Sequence, residues 1–230
     1  MSEPLSDFPF AAIGFDLDGT LLDTFRDLGA AVNHALELGG FDPVPVDSSK
    51  DLIGGGAKIM LKRAVDRQGG MPDDAFHALY KKMLAYYADH NADFSRPYPG
   101  VLDALDTLAD RGVKMAVVTN KFEAFARSVL TQLDIADRFV AIIGGDTMGK
   151  GNAKPRPDPV IEARRLCAEA GGDGRFAFVG DSTYDVNAAK AAGVPVVAAA
   201  YGYCDKPPHE LGADAVIERF DQLLPALEAL

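Results

Sequence analysis

The stretch Phe10-Ala11-Ala12-Ile13-Gly14-Phe15-Asp16-Leu17-Asp18-Gly19-Thr20-Leu21-Leu22-Asp23 decides the fold of this chain. An apolar run ends at Asp16, a second carboxylate follows at Asp18, and Gly19-Thr20 turns the chain at once. A short apolar run that stops at a glycine turn reads as a buried strand. Period-two alternation predicts that Asp16 and Asp18 point to the same side of the strand end. Two carboxylates are a poor choice for core packing, because a buried carboxylate is costly unless it is paired or bound to metal. In an open α/β sheet, ligands bind at the carboxyl ends of the strands, so the chemistry is expected to start here.

Working outward, further short apolar runs alternate with helical patterns. Phe10–Phe15, Lys114–Thr119, Phe139–Ile143, Phe176–Gly180 and Val194–Ala200 read as strands, with Asp214–Ile217 as a short edge strand. Helical periodicity runs over Val101–Arg111, Ala124–Asp134, Val160–Ala170, Asp185–Ala192 and Phe220–Ala229, and Gly112, Gly171 and Gly193 supply C-terminal stops. Strand–helix alternation with nearly continuous apolar strands predicts an α/β fold, a doubly wound parallel sheet covered on both faces.

Residues 24–95 break this rhythm. They hold helical patterns at Asp27–Leu38, Lys58–Arg67 and Asp73–Asp89, separated by Gly39-Gly40, Gly54-Gly55-Gly56 and Gly69-Gly70. A structureless insertion of this length is unusual in a compact domain. The segment is therefore expected to be an inserted α-helical cap domain at 24–95, with the α/β core formed by 1–23 and 96–230.

The chain has 230 residues, 48% of them hydrophobic, and a net charge of −11. This length and composition suit one large domain carrying an insertion. The acidic balance argues against a nucleic-acid surface, which needs a basic stripe. It leaves room for a phosphorylated substrate, which needs only a local positive site, with or without a metal. Two cysteines, Cys167 and Cys204, make no disulfide framework, and His34, His77, His90 and His209 have no ligand spacing. No secretory pattern or membrane-length apolar run is present, so a soluble cytoplasmic protein, monomer or homodimer, is expected.

Four groups of polar residues recur at the predicted strand ends: Asp16 and Asp18; Thr119 and Asn120; Lys154 among prolines; and Asp181 and Asp185 after Gly180. Singly each has an ordinary reading. A Thr-Asn pair caps helices, a lysine near prolines is a solvated loop residue, and Asp185 caps the following helix. Together, carboxylates from two strands, a hydroxyl, an amide and a lysine at one sheet edge are what metal-assisted phosphoryl transfer to a carboxylate requires.

These four motifs, in this order and with a helical insertion after the first, resemble the haloacid dehalogenase superfamily. Leu52-Ile53-Gly54-Gly55-Gly56-Ala57, Thr119-Asn120-Lys121-Phe122-Glu123-Ala124-Phe125-Ala126, Ile143-Gly144-Gly145-Asp146-Thr147 and Ala200-Tyr201-Gly202-Tyr203 further resemble the phosphoglycolate phosphatase family. The glycine-rich loop Met148–Ala153 before Lys154 is longer than that family pattern. The resemblance implies a Rossmann-like core and a Mg²⁺-dependent phosphatase acting on a small phosphorylated metabolite, 2-phosphoglycolate first. Asp16 is then the nucleophile and Asp18 the general acid and base. Asp16, the Asp18 backbone carbonyl and Asp181 hold Mg²⁺, with Asp185 orienting its waters. Thr119, Asn120 and Lys154 bind phosphate. Asp18 also separates reactions within the superfamily, because a halide leaving group needs no proton.

Specificity is expected from the cap. Gly54, Gly55 and Gly56 either bring backbone N–H groups to an anion or merely turn between helices. Arg26, Lys58, Arg63 and Lys121 are candidate partners for a substrate carboxylate, and each taken singly reads as a solvated surface charge. A sugar phosphatase, a pyrophosphatase and a phosphosugar mutase fit the same motifs. In another class stands a phospho-accepting signalling or binding module, against which the insertion and the Asp-x-Asp-Gly-Thr order argue.

Overall fold

The computed structural model describes residues 8–45 and 56–230. The chain divides into two compact units, Met1–Leu22 with Pro97–Leu230, and Asp23–Arg96. In chain order the elements are β1 (Ala12–Phe15), β2 (Leu22–Asp23), α1 (Phe25–Leu38), α2 (Ala57–Asp66), α3 (Asp73–Asp89), β3 (Arg96–Pro97), α4 (Val101–Asp110), β4 (Lys114–Val118), α5 (Glu123–Gln132), β5 (Ala141–Ile143), α6 (Asp158–Glu169), β6 (Phe176–Gly180), α7 (Thr183–Ala191), β7 (Val196–Ala199), β8 (Ala215–Ile217) and α8 (Leu223–Glu228).

The first unit is an α/β core of Rossmann-like type. Its sheet has six strands in the order β5-β4-β1-β6-β7-β8, with every pair parallel. The order reverses at β1, where the chain first winds outward through β4 to β5 and then crosses back to β6. That is the topological switch point of a doubly wound sheet, where the crevice outside the carboxyl ends takes ligands. Alternate residues on both faces are buried. Ala12, Ala116, Val118, Phe176, Phe178, Val196 and Ala198 join Val160, Ala163 and Cys167 of α6 and Val186, Ala188 and Ala189 of α7 in one cluster. Ile13, Phe15, Met115, Val117, Ala177, Val179 and Val197 are buried as well. Burial on both sides is why these strands read as continuous apolar runs rather than as alternation.

Five predicted strands and the edge strand appear in the sheet, most of them one or two residues shorter. Val194 is one reason: its N–H closes the end of α7 on Ala189. α7 starts at Thr183 rather than Asp185, because Ser182 and Asp185 form a reciprocal capping box that sets the N-terminus earlier. Phe220–Gln222 is a single 3-10 turn ahead of α8. The two-residue strands β2 and β3 form a separate two-stranded sheet, too short to leave a periodic signal.

The second unit contains α1, α2 and α3. α1 buries Leu28, Ala31, Val32, Ala35 and Leu36, α2 buries Met60, Leu61, Ala64 and Val65, and α3 buries Phe76, Leu79, Met83 and Tyr87. These i, i+3, i+4 stripes face one another in a three-helix core. Asp27, 1% exposed, accepts hydrogen bonds from the Phe94 and Ser95 N–H groups and the Ser95 hydroxyl. It thereby fixes the return segment to α1.

Candidate active site

The site is built at the carboxyl ends of β1, β4 and β6. The Asp16 N–H donates to the Val179 carbonyl at 2.8 Å, so Asp16 continues the β1–β6 ladder by one residue. The chain then turns: Leu21 and Leu22 both donate to the Leu17 carbonyl, and Gly19 donates to Leu22. Asp18 therefore lies beyond the strand, which ends at Phe15, in an isolated bridge to Leu22 that flanks the turn. The turn, rather than strand alternation, brings the second carboxylate beside the first, and its charge is one of those felt by Asp16.

Lys154 comes from the loop before α6, across a cis bond to Pro155. It is 4% exposed, and its ammonium lies 2.8 Å from Asp16 Oδ1 and 2.6 Å from Asp185 Oδ1. It also donates to the Val118 carbonyl at 2.7 Å. The Asn120 side-chain amide donates to the Lys154 carbonyl at 3.0 Å, tying this loop to the end of β4. Asn120 Nδ2 thus has a protein partner, beside the expected role as a phosphate ligand. Thr119 is buried, and its hydroxyl oxygen accepts the Lys121 N–H.

Asp185 is wholly buried. Its Oδ2 accepts hydrogen bonds from the Asp181 and Ser182 N–H groups and from the Ser182 hydroxyl, while Oδ1 faces Lys154. Asp181 accepts the Tyr203 N–H. Glycines leave it this space: a Cβ on Gly202 would lie 2.4 Å from the Gly19 carbonyl and 2.5 Å from Asp181 Oδ2. One on Gly19, whose φ is +89°, would lie 2.1 Å from Asp181 Oδ2. In the sequence, Ala200–Tyr203 stood out by family resemblance alone, with no chemistry assigned to Gly202 or Tyr203.

Lys121 departs from the expectation of a solvated charge among the cap candidates. It lies in the core unit, its side chain is 5% exposed, and its ammonium sits 2.5 and 2.8 Å from the two oxygens of Asp18. The turn after β4 directs it inward, a path that residue type alone does not encode. Of the other candidates, Arg26 and Lys58 are exposed and Arg63 half-buried in the helical unit, and Gly56 immediately precedes α2. Gly54 and Gly55 lie outside the described residues.

Asp16, Asp181 and Asp185 each place one carboxylate oxygen within 4.8 Å of the others. Burial pushes the Asp16 carboxyl up to about 7, against the pull of Lys154 and with the push of Asp185 and Asp18. Asp181 is raised well above the carboxylate range by burial, Asp185 and Asp16. Burial alone would lower Lys154, but Asp16 and Asp185 outweigh it and hold the ammonium up to about 12. Three buried carboxylates facing one ammonium leave a deficit of positive charge. The all-oxygen donor set suits a hard divalent cation such as Mg²⁺.

Known proteins resemble this chain over most of its length. Residues 13–199 match the family model of haloacid dehalogenase-like hydrolases. A phosphoglycolate phosphatase of Agrobacterium fabrum is 41% identical over 98% of this chain and 94% of its own length. One from Rhodospirillum rubrum is 40% identical over 92% of this chain and 88% of its own. A crystal structure of a predicted phosphoglycolate phosphatase from Haemophilus somnus superposes with a TM-score of 0.85 at 32% identity, covering 96% of this chain and 99% of that one. From the switch-point carboxylates through the matched core, the chain belongs to the haloacid dehalogenase-like hydrolase family.

Proposed function

We propose that this hydrolase is a Mg²⁺-dependent phosphatase that cleaves 2-phosphoglycolate to glycolate and phosphate through an aspartyl-phosphate intermediate. The observation that carries the reading is the buried Asp16–Lys154–Asp185 contact beside Asp181, at the switch point of the sheet. The relatives at about 40% identity bear the same substrate name.

In the first step an Asp16 carboxylate oxygen attacks phosphorus, the ester P–O bond breaks, and Asp18 gives its proton to the leaving oxygen. In the second, Asp18 takes a proton from water as that water attacks phosphorus, and the bond to Asp16 breaks. Asp16, the Asp18 carbonyl and Asp181 would hold Mg²⁺, which neutralises phosphate charge and keeps Asp16 ionised. Asp185, satisfied by Ser182, Asp181 and Lys154, holds the cluster in place. Lys154 and Thr119 bind phosphate oxygens, and Asn120 fixes the Lys154 loop. The helical insertion acts as a cap that excludes water from the first step.

Phosphate release from 2-phosphoglycolate, sugar phosphates, pyrophosphate and nucleoside monophosphates, with Mg²⁺ and with chelator, tests this reading. The expected result is a dominant kcat/KM for 2-phosphoglycolate that vanishes with chelator. A higher kcat/KM for another ester refutes the substrate, and activity that survives chelation refutes the metal.

A further inference from the structure

We infer that Lys121, in the core unit, reads a carboxylate on the carbon next to the ester oxygen, and so selects phosphate esters of α-hydroxy acids. The inference rests on the proposed role of Asp18 at the leaving oxygen and deepens it. Lys121 is held from both sides of its backbone: its N–H donates to the Thr119 hydroxyl at 3.1 Å, and its carbonyl accepts the Gly145 N–H at 2.8 Å. Its ammonium sits against both oxygens of Asp18, with the side chain 5% exposed.

Reach decides what such an ammonium can touch. A group that protonates the leaving oxygen lies within about 3 Å of it. Lys121 Nζ, at 2.5 and 2.8 Å from the Asp18 oxygens, is then no further than about 6 Å from the same atom. In an ester of an α-hydroxy acid the carboxylate oxygens lie roughly 3 Å from the ester oxygen, as ordinary bond lengths require. An ester oriented with its carboxylate toward Lys121 therefore brings a carboxylate oxygen within reach of a charge-assisted hydrogen bond, about 2.8 Å. Lys154 is not placed for this task, since Asp16, Asp185 and the Val118 carbonyl hold it beside the phosphorylated centre. Hydrogen bonds to charged groups in a buried site discriminate more strongly than apolar contacts. Selectivity thus begins on the loop after β4, in the core unit.

The test compares 2-phosphoglycolate with 2-hydroxyethyl phosphate, which has a hydroxymethyl group in place of the carboxylate, in wild type, Lys121→Met and Lys121→Arg. Selectivity is the ratio of the two kcat/KM values, so any inactive fraction of a variant cancels. Wild type is expected to prefer the carboxylate ester. Lys121→Met lowers both values, because Asp18 loses its partner, but lowers the carboxylate ester at least tenfold further, chiefly through KM. Lys121→Arg keeps part of the preference. Equal losses on both esters, from a wild type that does prefer 2-phosphoglycolate, overturn the assignment of Lys121 and leave the substrate reading standing. A wild type without preference overturns both.

Discussion

Replacing Asp16 by Asn removes the proposed nucleophile, and the charge balance of the site predicts that it also stabilises the metal-free protein. Burial raises the Asp16 carboxyl from an ordinary value of 3.8 to about 7. The unfolded chain therefore loses this proton near pH 4 and the folded chain near pH 7, so the unfolded state binds fewer protons between them. Stability falls as pH rises through that window. No penalty exists below about pH 4, and the full penalty is reached above about pH 7. Each tenfold change in proton affinity is about 1.4 kcal/mol, so the penalty is about 4 kcal/mol. Asn keeps the shape of the neutral carboxyl and removes the titration. In chelator at about pH 8, Asp16→Asn should be the more stable protein by about this amount, or roughly 10 °C in Tm for a chain of this size. Thermal or urea unfolding across about pH 4 to 8 in chelator measures both the offset and the slope. Saturating Mg²⁺ should narrow the gap, because the cation stabilises the form that binds it better. A metal-free Asp16→Asn that is less stable than wild type at about pH 8, or a wild type whose stability does not fall over this range, refutes the reasoning.

Gly202→Ala drives a Cβ to within 2.5 Å of Asp181 Oδ2 and 2.4 Å of the Gly19 carbonyl, so the Asp181 carboxylate must shift. The Mg²⁺ concentration for half-maximal activity should rise about 10- to 100-fold, as for other lost supports of a metal ligand, and a metal titration of activity reads it. Lys154→Ala leaves Asp16 and Asp185 buried without their ammonium. It should cost about 3–5 kcal/mol of stability in chelator and lower kcat/KM about 100-fold or more, measured by urea unfolding and steady-state kinetics.

The sheet and the carboxylate cluster at its edge were legible because their signals are local. Asp16, Asp181 and Asp185 announce themselves as carboxylates after apolar runs, and burial on both faces of the sheet made those runs continuous. What stayed hidden depends on the path of the chain in space. Period-two geometry at the strand end put Asp18 on the side of Asp16, yet the strand stops at Phe15 and hydrogen bonds to the Leu17 carbonyl shape the chain there. Lys121 read as a surface charge, because nothing in a Thr-Asn-Lys sequence says that the turn folds back over Asp18. Asn120 suits a phosphate oxygen by chemistry, but the Lys154 carbonyl is close enough to take its amide. Gly202 matters only because Gly19 and Asp181, both distant in sequence, meet it.

The boundary between the two units falls inside β2 and β3, the paired short strands through which the chain leaves the core after Leu22 and re-enters it at Pro97. Neighbouring strands lie about 4.8 Å apart, so the core meets the whole excursion as a gap one strand wide. Its closure does not depend on how many residues lie beyond the gap. Such a junction works as a socket: selection can lengthen, shorten or exchange the helical segment while β1, the Asp16 turn and the register of the sheet stay as they are. Change in the helical unit is thereby uncoupled from the geometry of the sheet.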